Sequence, residues 1–105
     1  MSWIYLLLAG LTEIGWPIGL KMAQNNDSKW LGITIAIAFM LTSGVLLFLA
    51  QRVIPLGTAY AVWTGIGAAG TFLIGAWVYN DPTSAMRYLG VLLIISGVVV
   101  LKTAK

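Results

Sequence analysis

Four long apolar runs, parted by short polar breaks, make up most of the chain. The first extends from Trp3 to Leu20 and stops at Lys21. Beyond the polar stretch Gln24-Asn25-Asn26-Asp27-Ser28-Lys29, the second extends from Trp30 to Ala50. Gln51 and Arg52 end it, and Pro55 prevents smooth continuation into the third, Leu56 to Tyr79. Asn80-Asp81-Pro82 is a turn sequence, and the fourth run covers Ala85 to Leu101 before Lys102 and Lys105. None of the runs alternates with period two, and each is about twice the length of a strand, so the pattern predicts helices rather than barrel strands. A span takes roughly 20 apolar residues, and in hydrocarbon each segment must satisfy its own backbone hydrogen bonds. The expected fold is an all-α membrane protein. One four-helix transmembrane domain over residues 1–105 is expected, with spans at 3–20, 30–50, 56–79 and 85–101.

Composition narrows the function classes. The chain has 105 residues, 60% hydrophobic and 9% charged, against roughly 25% charged in a soluble domain. Too few charges exist to cover a water-facing globule, so a soluble enzyme is excluded. There is also too much apolar surface for disorder. The six cations are scattered, which gives nucleic-acid binding no support. With no cysteine or histidine, disulfides and thiol or imidazole metal ligands are impossible, and no cofactor or metal is expected. No basic residue precedes the first run and no Ala-x-Ala site follows it, so it reads as a span rather than a cleaved leader. Trp3, Tyr5, Trp30, Trp77, Tyr79 and Tyr88 fall near span ends, where amphipathic rings favour the headgroup layer.

Charge also bears on orientation. Four spans put both termini and the loop between spans two and three on one side, with Arg52, Lys102 and Lys105. Lys21, Lys29 and Arg87 fall on the other. The positive-inside rule needs a Lys/Arg asymmetry, and here there is none. The count alone leaves two readings open: insertion in both orientations with pairing to an inverted copy, or a weak bias hidden by one cation near a span end.

One acid stands in the membrane. Asp27 and Asp81 lie in loops, whereas Glu13 lies ten residues beyond Trp3 and eight before Lys21. A charge at that depth costs at least about 2.5–3.5 kcal/mol, so such groups face an interior or aqueous cavity and mark ion or proton pathways. The bland alternative is a protonated Glu acting as polar glue between helices. No basic residue lies at similar depth, so its natural partner is an external cation or a proton. Ala9, Gly10, Trp16 and Pro17 lie one turn away. Trp16 offers an indole face to a cation, worth about 0.5–2 kcal/mol, and Pro17 removes a backbone donor just past the acid. In span three, Tyr60 and Trp63 share a face, followed by Gly65, Gly67 and Gly70 as packing surface or hinge. Ser43 interrupts span two, although a lone intramembrane serine commonly bonds its own helix. Gly90 and Gly97 form a one-heptad stripe on span four that reads as an assembly surface or as packing inside one chain.

With these features the chain resembles the small multidrug resistance family of four-helix exporters. The resemblance rests on span count, length, the lone Glu13, the Gly90/Gly97 stripe, and above all the run Pro55-Leu56-Gly57-Thr58-Ala59-Tyr60-Ala61-Val62-Trp63-Thr64-Gly65-Ile66-Gly67. It implies an antiparallel, dual-topology homodimer or paired heterodimer in the inner (plasma) membrane. Such a dimer exchanges a cation for protons by alternating access at two copies of the first-span glutamate. Trp16 and the Trp63-to-Gly67 run are similar to the guanidinium-exporter branch. The resemblance implies that Glu13 binds substrate and protons and that Trp16 walls the site. Tyr60 and Trp63 would orient the carboxylate, and Ser43 would serve as a hydrogen-bond partner. At positions 15 and 17 that branch commonly has alanine-like residues or bulkier aliphatics, whereas Gly15 and Pro17 stand here, which bears on site width and helix bend. The expected partners are guanidinium or a similar organic cation, protons, a second copy and the lipid bilayer. The alternatives are the same antiport used for quaternary ammonium or other hydrophobic cations, and a non-transporting subunit of a larger complex.

Overall fold

A computed structural model describes residues 1–104; the Lys105 charge counted above lies outside the described residues. The all-helical architecture expected from the sequence is what the structure shows. The helices are α1 (Ser2–Glu13), α2 (Gly15–Ala23), α3 (Lys29–Ala50), α4 (Leu56–Val78) and α5 (Ala85–Thr103), with a 3-10 turn at Asn26–Ser28. Taking α1 and α2 as one span, four helical segments are long and apolar enough to cross a membrane.

The first span is two helices because of Pro17. Proline has no N–H to give the carbonyl four residues earlier, and its ring crowds that carbonyl. The carbonyl is that of Glu13, and the break falls directly after it, at Ile14. The Ile14 N–H drops back to the Leu11 carbonyl at 3.3 Å, a three-residue step in place of four. Ile14 itself keeps helical dihedrals (φ −63°, ψ −32°), so the span stays nearly continuous while its hydrogen-bond ladder is interrupted.

Local chemistry sets the other helix ends. Asn25 accepts the Asp27 N–H at 3.0 Å, and the Ser28 hydroxyl donates to the Met22 carbonyl at 2.8 Å, closing the end of α2. Ser84 caps α5 by accepting the Arg87 N–H at 3.2 Å. At the end of α4, Asn80 adopts φ 57°, and the N–H of Asp81 reaches back to the Gly75 carbonyl at 2.9 Å. The same carbonyl accepts the Tyr79 N–H at 3.2 Å, so two donors close this helix end.

The α1–α2 span occupies the centre, with α3 on one side and α4 on the other; α5 packs against α4 at the outside. The Cα framework is a slab of 48 × 34 × 17 Å. At one end Leu6, Ala50, Ile54, Ala59 and Val62 form the buried core, flanked by Trp3, Leu47, Trp63 and Ile66. At the other end α2 and α3 meet almost backbone to backbone. A Cβ placed on Gly19 would lie 2.6 Å from the Ala36 nitrogen and 2.8 Å from the Gly32 oxygen, and one on Gly32 would meet the backbone of Gly19 and Ala23. Small residues four apart on both helices, Gly15/Gly19/Ala23 and Gly32/Ala36, make this approach possible. Gly15 lies against the Phe39 ring, so this departure from the branch pattern serves helix packing.

Gly19→Ala is expected to lower the midpoint of unfolding in a detergent titration, because the added methyl meets backbone that cannot turn aside. Gly44 has open space around it, and Gly44→Ala should be neutral or stabilising through helix propensity. Native-like stability of Gly19→Ala would contradict the close approach.

Candidate functional site

Glu13 is the last residue of α1 and is half-buried. Its side chain lies over Gly67 of α4, where a Cβ would come within 2.6 Å of the Glu13 Cγ. Any larger residue at 67 would displace the carboxylate. Across the span, α3 supplies Ser43, the one polar side chain among the described residues that is fully buried. Its hydroxyl donates to the Ala9 carbonyl at 2.7 Å and accepts the Trp63 indole N–H at 2.8 Å. Glu13 Oε1 lies 3.5 Å from the same Oγ. A hydroxyl has one proton, and the shorter bond takes it. The carboxylate is therefore held by a neutral contact at the limit of hydrogen-bond range.

The other face of Glu13 opens on a groove of about 390 Å³ lined by Glu13, Pro17, Thr64, Gly67, Ala68, Thr71 and Phe72. The described cations engage groups at the span ends. Lys21 sits 6.0 Å from the Tyr79 ring centre, Lys29 5.4 Å from Trp30, Arg52 5.3 Å from Phe48, and Lys102 5.5 Å from Trp3. Arg87 donates to the Pro82 carbonyl at 3.1 Å. The site thus presents one carboxylate, weakly held from inside, to a groove large enough for a small organic cation.

Of the residues singled out from the sequence, Glu13, Ser43 and Trp63 come together directly. Tyr60 joins through Trp63, its ring centre 5.4 Å away at a tilt of 55°, and is itself 56% exposed. It lines a different, apolar groove between α4 and α5, with Leu93, Ile94, Gly97 and Val98. Trp16 is half-buried on α2, and Pro17 and Phe72, not Trp16, wall the Glu13 groove within one chain. Gly65 and Gly67 are packing positions on opposite sides of α4: Gly65 faces Val98 and Ile94 of α5, and Gly67 receives Glu13. Helix α4 runs unbroken through both, and the interruption lies instead at Ile14. Gly90 and Gly97 face open space on α5.

Reading the sequence missed the Ala9 carbonyl, Thr64, Thr71 and Phe72. A signal for the threonines was present, since positions 64, 67 and 71 follow the i, i+3, i+7 spacing of one helix face. The Ala9 carbonyl is a backbone group and leaves no mark in sequence.

Residues 1–94 match the family model described as Small Multidrug Resistance protein. The chain is 46% identical over 102 residues to proteins named guanidinium exporter from Citrobacter freundii and Salmonella typhimurium, covering 97% of this chain and 96% of each relative. It is 43% identical over 104 residues to the guanidinium exporter of Yersinia pseudotuberculosis, covering 99% of both. With a family match across most of its length and relatives aligned nearly end to end, this four-span chain belongs to the small multidrug resistance family.

Proposed function

We propose that the chain is a proton-coupled antiporter that exports guanidinium and small guanidinyl cations by alternating access. It works in the inner (plasma) membrane as an antiparallel homodimer. The observation that carries this reading is the state of Glu13, a mid-membrane carboxylate facing an open groove and held from inside by a single neutral contact at 3.5 Å. A carboxyl group so placed can take a proton or an organic cation, and occupancy by one excludes the other. That exclusion is the coupling. The relatives' names support guanidinium as the cation.

Chemistry supports the same choice. Guanidinium is planar, keeps its charge at every physiological pH, and meets a carboxylate with parallel N–H donors. A quaternary ammonium has no donors and gains chiefly from aromatic walls. In this reading Glu13 alternates between substrate and proton, while Ser43 and Trp63 hold the wall behind it. Trp16 and Tyr60 supply aromatic surface that becomes part of the site only when a second copy closes it. One chain leaves the groove open, and the exposed face of α5, with Gly90 and Gly97 clear of neighbours, is where an inverted copy would pack. The even split of cations supports insertion in both orientations.

In proteoliposomes with a proton gradient, guanidinium is expected to move against the gradient, and Glu13→Gln should reduce that flux at least 100-fold. Undiminished transport by the Gln variant would overturn the antiporter reading. Competition assays should show guanidinium displacing tetramethylammonium at lower concentration than the reverse; the opposite order would favour a quaternary-ammonium exporter. A reporter fused to the C-terminus should be found on both sides of the membrane, and one uniform location would rule out an antiparallel dimer made of this chain alone.

A further inference from the structure

Threonines inside membrane helices commonly give their hydroxyl to the carbonyl one turn back. Thr12, Thr34, Thr42 and Thr103 do so here at 2.8, 2.8, 2.8 and 3.1 Å. Thr71 of α4 does not. Its Oγ1 is shut off from solvent and has no hydrogen-bond partner. Leaving a buried hydroxyl unpaired costs stability, and groups of this kind persist where function uses them.

Pro17 and Thr71 line the Glu13 groove, and both also line a second groove of about 160 Å³ whose other walls include Lys21, Tyr79 and Asp81. They form the seam between the mid-membrane acid and the end of the span. A cation that passes between the two grooves crosses this seam, where the Thr71 hydroxyl stands without a partner.

We propose that Thr71 is a substrate-contacting residue: its hydroxyl oxygen is a second, uncharged acceptor for cations bearing N–H donors. A guanidinium carries donors around its whole edge. One edge meets the carboxylate, and an N–H left over donates to the Thr71 hydroxyl oxygen as the ion moves along the groove. A quaternary ammonium has no N–H to give it. The seam thereby favours guanidinyl cations beyond what the carboxylate alone provides. This assignment rests on the guanidinium reading above.

The test compares the native full-length protein with Thr71→Val, which keeps the shape and removes the hydroxyl, and Thr71→Ser, which keeps the hydroxyl. Guanidinium and tetramethylammonium affinities are measured by tryptophan fluorescence, and stability by detergent unfolding. Thr71→Val should bind guanidinium about three- to tenfold more weakly, with tetramethylammonium binding unchanged. Its unfolding midpoint should be equal or higher, because an unpaired buried hydroxyl has been removed. Thr71→Ser should stay near native affinity. The proposal is overturned if Thr71→Val binds guanidinium as tightly as the native protein, if Thr71→Ser weakens as much as Thr71→Val, or if Thr71→Val loses stability together with affinity. A native protein that binds no guanidinium would overturn the functional reading itself, and this assignment with it.

Discussion

A carboxylate at mid-membrane that no described cation of its own chain pairs with is the constraint on which the rest of this structure depends. Placing Glu13 there is expensive in hydrocarbon, and the fold offsets little of that cost. Ser43 spends its proton on the Ala9 carbonyl and its lone pair on the Trp63 indole, leaving Glu13 a contact at 3.5 Å. Had the fold supplied a lysine or arginine at that depth, the acid would be neutralised and inert. The five described cations are engaged instead with aromatic rings or a carbonyl near the span ends. The site is kept short of a partner, and a mobile cation or proton can then supply one.

The surrounding backbone is arranged to hold that acid in place. Gly67 gives the side chain room on α4, and the fully buried Ser43 fixes the depth of α3. Below the break at Ile14, α2 is pressed against α3 through Gly19, Gly32 and Ala36. Lipid provides no hydrophobic drive for helices to associate, so packing of this closeness has to come from small side chains that let backbones touch. The tight α2–α3 contact and the interrupted ladder at Glu13 therefore act in series: one end of the span is clamped and the acid sits at the joint.

The outer helix follows a different rule. Helix α5 touches α4 at Gly65, where Val98 and Ile94 enter, and at Tyr88, which meets Phe72 and Trp77, and it leaves most of its aliphatic side chains exposed. A helix that adds so little to the core of its own chain is free to face lipid or a second copy. The slab shape has the same consequence for the Glu13 groove, which one chain lines on one side only. Both features support the reading in which an inverted copy completes the cavity.

The class of fold, the number of spans and the singular position of Glu13 were legible in the sequence, because they depend on local hydropathy and on one charge where hydrocarbon tolerates few. The interruption after Glu13 was legible too, since a missing N–H acts four residues away in the same helix. Partners across helices were not. Periodicity names the face of a helix, and it does not say which neighbour that face meets or at what register. Only the tertiary structure decided that Ser43 bonds Ala9 and Trp63, that Gly67 receives the carboxylate while Gly65 receives α5, and that Tyr60 opens on another groove. The physical reason is that an α-helix satisfies its own backbone and carries its own hydropathy, so a chain specifies its spans one at a time. Close packing between spans depends on shapes a dozen or more residues apart, which no local pattern contains.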